Sequence, residues 1–103
     1  MPKKYNEVKE KKIKSLLTNQ QINKVDDVGD YIDEQVELKP DSNYVHIENC
    51  IVRFECDPIT YNPLSFPEPQ RQLMQDLLLT RFQNADWRID YVDEFWVFFM
   101  RDF

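Results

Sequence analysis

Apolar and acidic residues separate onto opposite sides of residues 22–37 when this segment is wound as a helix. The apolar side holds Ile22, Val25, Val28, Ile32 and Val36. On the other side, positions 26, 30, 33 and 37 follow the spacing of neighbours on one helix face. We call this side the acidic stripe, which comprises Asp26, Asp27, Asp30, Asp33, Glu34 and Glu37. Because like charges at helical spacing repel one another, the stripe carries a small stability cost.

Two helices are predicted in the first forty residues. The first, over residues 5–17, is polar and has a narrow apolar side among its lysines. The second contains the acidic stripe and begins after Thr18 or Asn19, since both residue types cap helices well. It ends before Pro40, because proline disfavours helical geometry in the residue that precedes it. Gly29 weakens this helix, and a break into two shorter helices is the alternative.

Two pairs of strands are predicted further along the chain. Residues 43–56 alternate as a hairpin that turns at Glu48 and Asn49, with one long strand as the alternative. The chain ends in a second hairpin that turns at Asp93 and Glu94 and pairs residue 92 with residue 95. One face of this hairpin is then entirely apolar or aromatic, and it comprises Trp87, Ile89, Tyr91, Trp96, Phe98 and Met100.

The last strand is apolar on its other side as well, where Phe95, Val97 and Phe99 lie. A strand that is apolar on both sides is typical of a central strand with both faces covered. The N-terminal helices are one expected cover for this second face. The other expected cover is a partner protein, or a second copy of the chain in a homodimer, since aromatic side chains dominate binding energetics.

A third helix is predicted between the two hairpins, from Pro69 to Asn84, because proline is tolerated at a first helical position. The predicted fold class is therefore α+β in the order α-α-β-β-α-β-β. Its four strands form a mainly antiparallel sheet on which the helices pack. The 103 residues predict a single domain, with a basic helix over 1–17 and an acidic body over 18–103.

Charge is unevenly distributed along the chain. The net charge is −6, but residues 1–24 hold seven lysines against two glutamates, whereas residues 25–103 hold six cations against seventeen acids. A basic arm on an acidic body attracts nucleic acid only through the arm. Ordinary solvated helix surface and pairing of the basic helix with the acidic helix are the other expectations for these lysines. The candidate phosphate contacts are Lys3, Lys4, Lys9, Lys11, Lys12 and Lys14.

The two cysteines and the hydropathy pattern predict a protein of the reducing cytoplasm. Cys50 and Cys56 are too far apart to bridge if they belong to one extended strand, which would separate them by about 20 Å. The N-terminus has no apolar segment behind its lysines. The longest apolar run, residues 95–100, is too short to cross a bilayer.

The sequence carries little catalytic chemistry. One histidine excludes the His-Glu-x-x-His zinc motif, and one glycine excludes the glycine-rich nucleotide loops. His46, Glu48 and Cys50 would line one face of a single long strand and suit Zn²⁺, but an ordinary polar strand edge is the favoured interpretation. We therefore expect no enzyme activity, cofactor or metal.

The acidic stripe has two interpretations, an ordinary solvated face opposite a buried one, or a surface that docks on a partner. The preferred functional interpretation is an interaction or inhibitor protein. Its acidic stripe would occupy a basic site on a partner protein, because carboxylates along a helix repeat every 5–6 Å or so, on the scale of nucleic-acid phosphates. Small acidic inhibitors, immunity proteins and phage-encoded host-takeover proteins share this size and charge. The alternative is a nucleic-acid-binding accessory protein that uses the N-terminal lysine cluster.

Overall fold

The structure, a computed structural model that describes residues 5–101, has an α+β architecture. Its strands form an antiparallel sheet in the order β1-β3-β2, with the helices packed on it. This confirms the predicted fold class, although the described residues form three strands rather than four. In chain order the elements are α1 (Tyr5–Ser15), α2 (Asn19–Glu37), β1 (Tyr44–Glu48), α3 (Asn49–Val52), α4 (Glu68–Asn84), β2 (Arg88–Tyr91) and β3 (Trp96–Met100).

Helix α2 is continuous and carries a reciprocal cap at its start. The Thr18 hydroxyl accepts a hydrogen bond from the Gln21 backbone N–H, and the Gln21 side chain accepts one from the Thr18 N–H. Two otherwise unpaired backbone donors are satisfied in this way. The helix passes through Gly29 without a break and ends at Glu37, as predicted from the proline that follows. Its buried apolar residues are Val25, Val28 and Ile32.

The prediction of a strand after Glu48 was wrong, because residues 49–52 form the short helix α3. A type I′ two-residue hairpin turn requires positive φ at both of its residues, which Glu48 disfavours, and Glu48 has φ of −59°. Asn49 instead anchors the end of β1 to the tip of the C-terminal hairpin. Its backbone N–H donates to the Phe95 carbonyl at 2.7 Å, and its side-chain amide donates to the Glu94 carbonyl at 2.9 Å. β1 therefore pairs with β3 and not with the residues that follow it.

Helix α3 ends in a Schellman motif that reverses the chain. The Glu55 N–H donates to the Cys50 carbonyl at 2.9 Å, and the Phe54 N–H donates to the Ile51 carbonyl at 3.1 Å. Phe54 takes the left-handed position with φ of 58°, where glycine is the usual residue. Its side chain is fully buried, and this burial offsets the backbone cost. The reversal returns residue 56 towards α3.

The C-terminal hairpin forms, but the predicted register was wrong by one residue. Tyr91 pairs with Val97 and Ile89 pairs with Phe99. The reason lies in Asp93, whose side chain accepts hydrogen bonds from the N–H groups of Phe95 and Trp96 and so holds a longer connection than a two-residue turn.

The shift of register exchanges the two faces of β3, because successive strand residues point in opposite directions. Val97 and Phe99 are fully buried beneath the helices, beside Val45 and Ile47 of β1. They belong to the core and cannot form an exposed partner face, whereas Phe95 at the hairpin tip is 66% exposed. The six residues predicted to share one face are therefore divided. Trp96, Phe98 and Met100 of β3 lie on the open face of the sheet, whereas Ile89 and Tyr91 of β2 lie on the helix-covered side, opposite Phe99 and Val97.

Candidate functional site

The acidic stripe lies along the outer side of α2. Burial of the apolar side fixes the rotation of the helix, and the opposite carboxylates must then face outward. All six members of the stripe are exposed. The structure therefore brings together, on one rigid element, the residues that the sequence predicted as a partner-binding surface.

Asp26 differs from the rest of the stripe because it has a cation partner. The guanidinium of Arg81, on α4, forms ion pairs with Asp26 and with Glu10 of α1, the latter at 3.1 Å. Glu10 also accepts a hydrogen bond from the Asn84 side chain at 3.0 Å. Arg81 thus connects three helices, and we assign Asp26 a structural role.

The other five stripe carboxylates have no ion-pair partner within the part of the chain that the structure describes. Partial burial raises the pKa of Asp33, and the nearby carboxylates of Asp30 and Glu37 raise it further. A raised carboxyl pKa means that the ionised form is disfavoured in the folded protein. The repulsion inferred from helical spacing is therefore present at Asp33. These five residues are Asp27, Asp30, Asp33, Glu34 and Glu37.

A groove runs along each side of the stripe, and Asp30 borders both. The groove towards α4 has a volume of about 300 Å³, and Asp33 and Trp87 also line it. The groove towards the loop after β1 and α3 has a volume of about 250 Å³ and is lined by Tyr31 and Glu34 among others. Each groove therefore combines carboxylates with an aromatic ring, and each also holds one cation of this chain, Arg81 in the first and Lys24 in the second.

Aromatic rings beside carboxylates suit a cationic side chain. Trp87 already interacts with a cation of this chain, since the Arg101 guanidinium carbon lies 5.5 Å from the ring centroid. Trp87 is half-buried and also meets the Phe82 ring edge-on, with the centroids 6.0 Å apart. The groove towards α4 therefore includes groups that stabilise guanidinium and ammonium ions, beside Arg81, whose own charge is paired with Asp26 and Glu10.

The N-terminal lysine cluster is only partly visible. Lys9, Lys11, Lys12 and Lys14 are exposed on α1, whereas Lys3 and Lys4 lie outside the described residues. None of the four visible lysines forms an ion pair with the acidic stripe in residues 5–101. Instead, α1 packs against α4 and buries Ile13. Mutual neutralisation of the basic and acidic helices is not observed.

The end of β1 places the residues considered for zinc on two elements, although Cys50 Sγ still lies 3.9 Å from Glu48 Oε2. His46 lies on the open face of the sheet, while Cys50 lies on α3. Glu48 accepts a hydrogen bond from the Tyr61 hydroxyl at 2.9 Å. No cluster of three or more histidine, cysteine or acidic side chains able to hold a metal occurs within residues 5–101.

Sequence reasoning missed two features. On the open face of the sheet, Tyr44 stacks on Phe98 with the ring centroids 5.5 Å apart, and the rings of His46 and Trp96 meet edge to face with their centroids 4.9 Å apart. The alternation in β3 signals such a face, but the register decides which set of residues forms it. The second feature is the proximity of Cys50 and Cys56, which depends on the Schellman motif and has no glycine to signal it.

Comparison of the chain with models of protein families, with curated protein sequences and with solved structures gives no match. Across the described part of the chain, none of the helices combines the length and the apolar character needed to cross a bilayer.

Proposed function

We propose that this protein is a non-enzymatic interaction protein of the cytoplasm, which docks its acidic stripe on a basic surface of a partner protein. The observation that carries the proposal is the set of five exposed carboxylates on one face of α2 with no cation partner in residues 5–101. A partner's arginines and lysines would supply the missing countercharge. Binding of this kind also inhibits the partner if its basic surface normally holds nucleic acid.

The electrostatic cost of the stripe supports this function. When a cation is placed between two like charges, its attraction to both offsets the repulsion between them. At Asp33, burial is the first cause of the raised pKa, and repulsion from Asp30 and Glu37 raises the pKa further. The free energy lost in folding is recovered on association, and this recovery favours a basic partner over a neutral one.

The two grooves define the contacts that the partner makes. Arginine is the preferred occupant, because its planar guanidinium pairs with carboxylates through two hydrogen bonds and also stacks on aromatic rings. Asp30 borders both grooves, so one carboxylate can receive a cation from either side. We expect the partner to present a row of basic side chains rather than a single one.

Affinity capture with two matched variants tests the proposal. In the stripe variant, Asp30→Asn, Asp33→Asn, Glu34→Gln and Glu37→Gln remove four charges but leave the Asp26–Arg81 ion pair in place. In the control variant, Glu7→Gln, Asp41→Asn, Asp90→Asn and Glu94→Gln remove four exposed charges that lie outside α2. Nuclease-treated lysate is passed over each immobilised protein, and the eluates are identified by mass spectrometry.

A basic protein retained by the wild type and by the control variant, but lost with the stripe variant, is the expected result. Equal retention by all three proteins would contradict the proposal. The proposal would also be contradicted if untreated lysate gave nucleic acid alone, provided that this binding is salt-sensitive and is lost when residues 1–14 are removed. That outcome would favour the lysine cluster, whose visible members are exposed on α1.

A further inference from the structure

The two cysteines of the chain lie in contact although six positions separate them in sequence. Cys56 Sγ is 3.1 Å from Cys50 Sγ and donates a hydrogen bond to it. Both are free thiols. The Schellman motif at the end of α3 creates this proximity, because the chain reverses at Phe54 between the two residues. A disulfide requires the sulfurs to approach by about 1 Å more, which is within the reach of side-chain rotation.

The two thiols differ in exposure. Cys50 is half-exposed and lines a cleft of about 620 Å³ between α3 and the tip of the C-terminal hairpin, together with Arg53, Phe95 and Trp96. Cys56 is buried. A small molecule in the cleft therefore reaches the sulfur of Cys50 first. Three carboxylates, those of Glu48, Glu55 and Glu94, also line the cleft, and Arg53 pairs with Glu55 at 3.4 Å, so exposure of the sulfur rather than the charge of the cleft favours reaction at Cys50.

We propose that Cys50 and Cys56 form a thiol-modification site, which closes to an intramolecular disulfide by exchange with a low-molecular-weight disulfide such as glutathione disulfide. The Cys50 thiolate attacks one sulfur of glutathione disulfide, and the first glutathione leaves as a thiolate that takes up the proton lost by Cys50. The sulfur of Cys56 then attacks Cys50, the mixed disulfide breaks, and the second glutathione leaves with the proton of Cys56. Two protein thiols are oxidised, and one glutathione disulfide is reduced to two glutathione molecules.

The order of attack follows from the surroundings of the two sulfurs. Burial raises the pKa of Cys56 to about 12, with the hydrogen bond to Cys50 adding to the effect. Cys56 therefore keeps its proton at neutral pH, and the thiolate is the attacking species in disulfide exchange. Cys50 is the attacking residue and Cys56 the resolving residue. Their proximity compensates for the weak acidity of Cys56, since an oriented intramolecular reaction needs no second encounter.

Incubation of the folded, reduced protein with excess glutathione disulfide tests the proposal. Intact mass is measured after quenching, followed by digestion with trypsin under non-reducing conditions. Cleavage after Arg53 separates the two cysteines, so the two peptides stay joined only through a disulfide. We expect the wild type to lose the mass of two hydrogens and to give the joined peptides.

The single-cysteine variants report the order of the steps. Cys56→Ser is expected to stop at one stable glutathione adduct, whereas Cys50→Ser is expected to react many times more slowly. Circular dichroism first establishes that each variant is folded. The wild-type result decides the proposal even if a variant does not fold. Two glutathione adducts on one chain, disulfide-linked dimers, or persistence of both free thiols in excess glutathione disulfide would each overturn it.

Discussion

Lys24 Nζ lies 2.8 Å from Asp57 Oδ2, and this ion pair joins α2 to the loop that follows α3. The second oxygen of Asp57 accepts hydrogen bonds from the N–H groups of Ile59 and Thr60 at 2.9 and 3.1 Å. The hydrogen bond from Lys24, followed by those from the loop backbone, holds the pKa of Asp57 well below its usual range. One side chain thus fixes both the loop and its position beside the acidic stripe.

Protonation of Asp57 should remove this contribution to stability. A carboxyl whose pKa is lowered by folding stabilises the protein at pH values above its unfolded pKa of about 3.9. This contribution to stability is lost as the pH falls towards the folded pKa. Asp57→Asn retains an acceptor oxygen but not the charge. We expect the difference in unfolding free energy between wild type and variant to be largest at neutral pH and to shrink below about pH 4. Urea unfolding across a pH series measures it, and a pH-independent difference would contradict the assignment.

Replacement of Gly29 by alanine should stabilise α2. A Cβ at this position would lie 3.8 Å from Leu78 Cδ1, which is an ordinary van der Waals contact. The helix therefore has room for the methyl group, and alanine costs about 1 kcal/mol less than glycine in a helix interior. Thermal unfolding should show a higher Tm for Gly29→Ala. Gln20→Ala, at an exposed position in the same helix, serves as the control and should change the Tm less. A lower Tm for Gly29→Ala would show that α4 leaves no room for the added methyl group.

Removal of one charge from the acidic stripe should also stabilise the free protein. Because the pKa of Asp33 is raised on folding, its ionised form destabilises the protein at pH values above both the unfolded and the folded pKa. Asp33→Asn should raise the unfolding free energy by up to about 0.5 kcal/mol for each repulsive pair removed, and added salt should diminish the gain.

Asp41→Asn is the control for this measurement, because Asp41 is an exposed acid outside α2. Chemical denaturation of both variants at low and at high salt gives the comparison. Equal effects of the two substitutions would show that the gain reflects net charge rather than repulsion within the stripe.

The register of the C-terminal hairpin predicts an unequal response of two adjacent phenylalanines. Phe99 is fully buried, and its ring centroid lies 5.0 Å from that of Phe82. Phe99→Ala should therefore cost about 3–5 kcal/mol of unfolding free energy. Phe98 lies on the open face and stacks on Tyr44, so Phe98→Ala should cost less. Urea unfolding of the two variants tests the register. A larger loss of unfolding free energy for Phe98→Ala than for Phe99→Ala would favour the register predicted from the sequence.

The three longer helices, α1, α2 and α4, could be predicted from the sequence, and α2 shows the local signals most fully. Thr18 and Gln21 form the capping pair at the start of α2, and Pro40 lies just beyond its end. The acidic stripe follows from the helix period alone. Its rotation towards the surface is fixed by the buried positions Val25 and Val28, which the pattern also identifies.

The remaining features depend on interactions that a linear pattern does not contain. Whether Glu48 is followed by a strand is decided by Asn49, whose partners lie more than forty residues away in sequence. The register of β3 is decided by the hydrogen bonds of the Asp93 side chain. The contact between the cysteines depends on Phe54 taking a backbone conformation that is uncommon for a bulky residue. Pairing of Asp26 with Arg81 likewise requires the packing of α2 on α4.

The most direct test of the acidic stripe as a binding surface for basic side chains is a nuclear magnetic resonance titration. The isotope-labelled protein is titrated with an oligoarginine peptide at physiological salt, and the backbone amide shifts are followed residue by residue. We expect saturable shifts concentrated at residues 27–37 and at Trp87, with the stripe variant losing them and the control variant retaining them. Shifts centred on the acids of the C-terminal hairpin, or shifts that are unchanged in the stripe variant, would contradict the account.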